Sequence, residues 1–107
     1  MKRLLAALTI GLAVLLLGSQ AANSAQKPST VHITDFAFKP AELTVHTGDT
    51  VVFQNDDSVT HNVMGEGLNS GDIEGGKSWT YTFSKAGTYT YVCTYHDGMK
   101  GTVTVSP

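Results

Sequence analysis

Apolar and polar side chains alternate along much of the chain. Trp79, Tyr81 and Phe83 are separated by Thr80 and Thr82; Tyr89, Tyr91 and Cys93 are separated by Thr90 and Val92. A period of two places each set on one face of an extended strand. Val31 and Ile33 alternate within Thr30–Thr34, and Leu43 and Val45 flank Thr44. Gly48-Asp49 signals a turn, and the β-branched run Thr50–Phe53 that follows reads as a strand. Thr102–Val105 reads as another, and Val59–Met64 as a short one. The polar run Asn55–Ser58 and the turn Lys85-Ala86-Gly87 punctuate these segments. Residues 65–76 contain five glycines and predict a long loop. There is no helical period and no internal repeat. The pattern therefore predicts an all-β sandwich or small barrel, with the five aromatic residues from Trp79 to Tyr91 in the core. The acidic loop residues are expected to be a solvated surface.

The first residues follow a different pattern. Lys2 and Arg3 precede an uncharged run, Leu4–Leu17, and small and polar residues follow through Ala25. This is the layout of a secretory signal peptide. The run has 14 residues, short of the roughly 18 needed to span a bilayer. The expectation is a signal peptide over 1–25, cut somewhere between Ala21 and Ala25. A single domain over 26–107 would then be exported to the periplasm or secreted. An uncleaved membrane anchor is the less favoured alternative.

Charge narrows the partners. From residue 26 onward five lysines stand against nine acids, a net charge of −4 with histidine neutral. No basic stripe exists to hold nucleic acid or an anionic membrane. Nothing suggests a small-molecule substrate or an enzyme, and a monomer is expected.

Cys93 is the single cysteine, so no internal disulfide can form and an exported thiol needs an explanation. It opens the segment Cys93-Thr94-Tyr95-His96-Asp97-Gly98-Met99, which puts a thiol, an imidazole and a thioether within seven residues between two strands. Soft sulfur ligands combined with imidazole favour copper. A second imidazole is best supplied by His61, which follows the polar loop in Thr60-His61-Asn62-Val63. His32 and His46 read as ordinary surface residues, and Met64 as a core or rim filler. A c-type haem would need a second cysteine, and a structural zinc site would not use methionine. An inert buried thiol, or a nucleophilic Cys93 with His61 as base, fits the pattern less well.

His61-Asn62-Val63, Gly87-Thr88-Tyr89-Thr90-Tyr91-Val92-Cys93 and the Cys-x-x-His-x-x-Met spacing together resemble the cupredoxin (type 1 blue-copper) family, from about Thr30 to Val105. The resemblance implies a Greek-key β-sandwich or barrel. It also implies one copper ion cycling between Cu(I) and Cu(II), with His61, Cys93 and His96 as strong ligands and Met99 as a weak axial one. Asn62 would donate its backbone N–H to the thiolate and tie its side chain to Thr94. The implied function is a mobile one-electron carrier whose protein redox partners dock near His96. Copper delivery or buffering is the alternative use of the same residues. Short-loop members of the family flank the second ligand histidine with prolines, where this chain has Tyr95 and Asp97. Thr60 stands where a proline often precedes the first histidine.

Overall fold

The computed structural model describes residues 27–107. The expected signal peptide, its cut and the alternative anchor lie outside the described residues. Among the described residues nine strands follow in order: β1 (Ser29–Thr34), β2 (Ala37–Lys39), β3 (Glu42–His46), β4 (Asp49–Asn55), β5 (Met64–Gly65), β6 (Leu68–Asn69), β7 (Ser78–Phe83), β8 (Gly87–Val92) and β9 (Lys100–Ser106). No helix occurs among the described residues.

The strands form two sheets, ordered β2-β1-β4-β7 and β3-β9-β8-β5-β6. Most neighbours are antiparallel. β1 runs parallel to β4, and β3 runs parallel to β9. The chain passes from one sheet to the other after β2, β3, β4, β6 and β7. Each sheet therefore buries one face against the other, as an all-β sandwich requires.

The alternating positions supply that buried layer. Val31, Ile33, Val51 and Phe53 come from the first sheet, and Val45, Tyr91, Val103 and Val105 from the second. The aromatic expectation holds in part. Phe83 and Tyr91 are fully buried, but Trp79, Tyr81 and Tyr89 are half-buried and pack against the core edge. Their rings run in series, with Phe53–Trp79, Trp79–Tyr81, Tyr81–Phe83 and Phe83–Tyr89 centroids 4.8–5.5 Å apart. Such spacings suit tilted and edge-on ring packing.

Two segments differ from the expectation. Val59–Met64 is not a strand: only Met64 is in one, and His61 makes an isolated bridge to Ile73. Residues 65–76 are not all loop, because Leu68–Asn69 pairs back on Met64–Gly65 as a short hairpin. The glycines there mask a strand of two residues, too short for any alternation to show.

Tyr91 carries a packing conflict. Its hydroxyl is buried with no hydrogen-bond partner among the described residues, and burial pushes its pKa up to about 12. Gly101 lies directly opposite in the β8–β9 ladder. A Cβ at Gly101 would sit 2.6 Å from that hydroxyl, so the missing side chain makes room for the ring.

Candidate metal centre

At one end of the sandwich the Cys93–Met99 loop and the His61 segment meet. Cys93 follows β8 on the same inward phase as Tyr91 and is buried. His61 is fully buried, and its backbone is clamped to Ile73 by Ile73 N–H to His61 O (2.8 Å) and His61 N–H to Ile73 O (3.0 Å). His96 is half-buried, and Met99 is buried just ahead of β9. The loop closes on itself where Cys93 N–H donates to Met99 O at 3.1 Å. Gly98 turns it with φ +82, a conformation that costs glycine nothing.

The donor atoms converge. Cys93 Sγ lies 3.7 Å from His61 Nδ1 and 3.6 Å from His96 Nδ1, and one ligand atom from each of the three residues falls within 4.8 Å of the others. Metal–nitrogen and metal–sulfur bonds of about 2.0–2.3 Å, set at about 120°, would hold such donors about 3.8 Å apart. The observed separations thus suit one ion shared by two imidazoles and a thiolate. Met99 lines the same hollow as Cys93 and His96. His32 and His46 lie elsewhere on the surface, beside Asp56 and Asp49.

The expected tie between the two segments is present. Asn62 Nδ2 donates to Thr94 Oγ1 at 2.8 Å, and Thr94 N–H donates to Asn62 Oδ1 at 2.9 Å. The paired bonds fix the chain on both sides of the His61–Cys93 contact.

Asp57 departs from the expectation of a solvated acidic loop. Its side chain is only 14% exposed and lies 2.8 Å from His61 Nε2. It also accepts the backbone N–H groups of Asp35 (2.7 Å) and Phe36 (2.9 Å). Burial alone would raise its pKa. The Phe36 N–H, the His61 ring and the Asp35 N–H outweigh that and hold the carboxyl below its usual range. An ionised carboxylate only accepts, so His61 donates from Nε2, and Nδ1 is the ring nitrogen that faces Cys93. A carboxylate behind a ligating histidine is a common way to fix the ring and its tautomer.

The Asp35–Phe36 turn is also under strain, since both residues have positive φ (55° and 58°). For a bulky residue this is a true outlier, and it is sustained here by the two N–H groups on Asp57. The result is an aromatic ring 49% exposed that meets His61 and His96 edge-on, with centroids 5.4 and 4.8 Å away. On the other side Tyr95, 52% exposed, donates its hydroxyl to Asp72. That bond, helped by the negative charge of the carboxylate, raises the phenol's pKa.

Sequence patterns carry no signal for Asp57, Phe36 or Asp72. Each acts through a loop conformation that periodicity does not encode.

Comparison with known proteins adds a second line. A cupredoxin-like domain model matches residues 6–105. The chain is 36% identical over 92 residues to an amicyanin of Paracoccus denitrificans, covering 79% of this chain and 70% of that one. It is 35% identical over 83 residues to a plastocyanin of Scenedesmus fuscus, covering 64% of this chain and 85% of that one. Among solved structures, a reduced Cu(I) form of a mutant amicyanin superposes with a TM-score of 0.71 at 33% identity. That match covers 78% of this chain and 86% of the other.

Proposed function

The chain belongs to the cupredoxin family, and from that premise we propose that it is an exported blue-copper protein, a one-electron carrier rather than an enzyme. The observation that carries this reading is the convergence of Cys93 Sγ on two imidazole Nδ1 atoms at 3.6 and 3.7 Å. His61, Cys93 and His96 would hold the ion, with Met99 beside them as a weaker sulfur donor, a donor combination that suits copper. Copper, when bound, supplies a Cu(I)/Cu(II) couple.

The protein's own part is to keep these donors nearly fixed. Asp57 holds the His61 ring and the Asn62–Thr94 pair holds the chain beside Cys93; by the family resemblance the Asn62 backbone N–H would donate to the sulfur. Burial of His61, Cys93 and Met99 favours keeping the ion over handing it on, so the delivery reading is not preferred. His61 is closed to solvent, which leaves the His96 side as the route for electrons. Phe36 and Tyr95 flank it as exposed aromatic surface, where protein redox partners would dock. Residues 1–25 would act as a cleaved signal peptide, delivering residues 26–107 to the periplasm or the exterior as a monomer.

The test is optical. Residues 26–107 loaded with one equivalent of Cu(II) should turn intensely blue through thiolate-to-copper charge transfer, and Cys93→Ala should abolish the colour. A colourless parent protein would refute the reading. Amino-terminal sequencing of the exported product checks the cut.

A further inference from the structure

The Cys93–Met99 loop is unevenly anchored. Thr94 is tied to Asn62 by two bonds, and Cys93 is tied to Met99. Between them the backbone has little hold, because Met99 N–H reaches His96 O only at 3.5 Å and Tyr95, Asp97 and Gly98 are exposed. His96 sits in this stretch. Among the described residues, one side chain there reaches another segment through a hydrogen bond: the Tyr95 hydroxyl donates to Asp72 Oδ1. Asp72 immediately precedes Ile73, whose N–H and C=O both clamp His61. The bond therefore links the segment next to one imidazole with the segment locked to the other. The Tyr95 ring also stands edge-on to His96, with centroids 6.5 Å apart.

We propose that Tyr95 and Asp72 are positioning residues, a strap that holds His96 at its distance from Cys93 and His61. The role rests on the copper reading of the site. The bond is charge-assisted but exposed, so its effect is to restrict the loop rather than to stabilise the fold. A looser His96 serves Cu(I), which accepts fewer ligands, better than Cu(II). Loss of the strap should therefore raise the reduction potential and let the reduced ion escape sooner.

Tyr95→Phe keeps the ring and removes the hydroxyl. In the Cu(I)-loaded protein it should speed copper loss to a bathocuproine chelator by about two- to tenfold, the range one hydrogen bond spans. The potential should rise and the melting temperature of the metal-free protein should stay put. Asp72→Ala should reproduce the effect, and the double variant should add nothing to either single change. Asp72→Asn, whose side-chain oxygen still accepts, should recover most of it. In metal-free protein, nitrogen relaxation should show residues 95–98 more mobile in Tyr95→Phe than in the parent. An unchanged rate of copper loss, or additive effects in the double variant, would overturn the strap. If the parent takes up no copper, the copper reading fails by itself, and unaltered relaxation in the metal-free variant would then dispose of the strap separately.

Discussion

Asp57 stands four residues ahead of His61 and takes the hydrogen bond that His61 offers from Nε2 at 2.8 Å, while the same carboxylate receives both N–H groups of the turn at Asp35 and Phe36. Removing it strands three donors, one of them on a fully buried ring. An unsatisfied buried donor costs about 1–3 kcal/mol, and water can reach part of this site. Asp57→Ala should therefore lower the stability of the metal-free protein by about 2 kcal/mol in urea unfolding. Asp57→Asn, which keeps an acceptor oxygen, should lose less. Equal stability of Asp57→Ala and the parent would show that the carboxylate supports nothing.

Phe36 should separate stability from electronic tuning. Relieving its left-handed backbone recovers about 1–2 kcal/mol, while glycine's greater unfolded freedom costs about 0.4–1 kcal/mol and the half-exposed ring takes some packing with it. Phe36→Gly should change stability by no more than about 1 kcal/mol. Water would then approach His61 and His96, favouring the more highly charged oxidised site and lowering the reduction potential in voltammetry. A potential equal to that of the parent would mean that the ring does not shield the pair.

Met99 is buried and close in volume to leucine, a swap that cores tolerate for less than about 1.5 kcal/mol. As the weak donor proposed for the copper, it should set potential more than affinity. Met99→Leu should stay blue and show a raised potential, since loss of axial donation disfavours Cu(II). A variant unable to take up copper would show instead that Met99 is needed for binding.

The unpartnered Tyr91 hydroxyl predicts a gain. Tyr91→Phe removes a buried polar group that finds no hydrogen bond among the described residues, and should add about 1 kcal/mol of stability in thermal or urea unfolding. Gly101→Ala should do the opposite, because the new methyl would meet the ring at 2.6–2.8 Å. Combined with Tyr91→Phe, its cost should fall only slightly, since ring carbons crowd the same space. A destabilised Tyr91→Phe would mean that the hydroxyl has a partner in solution.

The strands were legible where they were long and half-buried, because alternation then marks the buried face. Val31 and Ile33 fell where a period of two puts them, and the β-branched run at Thr50–Phe53 fell in a strand. Alternation failed where strands last two residues, as at Leu68–Asn69, and where a buried stretch such as His61–Val63 is not a strand. The three converging donors were legible because residue type and spacing carry their chemistry, and the Asn62–Thr94 tie because the family resemblance implies it. Asp57 was not, since a carboxylate in a polar loop looks solvated until the fold closes the Asp35–Phe36 turn over it. Phe36 was hidden for a related reason: bulky residues rarely adopt positive φ, so nothing in its neighbours announces the turn.

The placement of β9 governs the order in which the molecule can be completed. In its sheet it lies between β3 and β8, and among the described residues β3 has no other partner there. A nascent chain emerging from its amino end can thus display every donor from His61 to Met99 while this sheet is still split in two. Residues 100–106 close it like a latch, joining segments some 60 positions apart. Such distant pairing is slow, so the thiol spends an interval outside its finished shelter. Trimming within β9 would remove the middle of a sheet, not its margin, and would leave the donor loop hinged at one end.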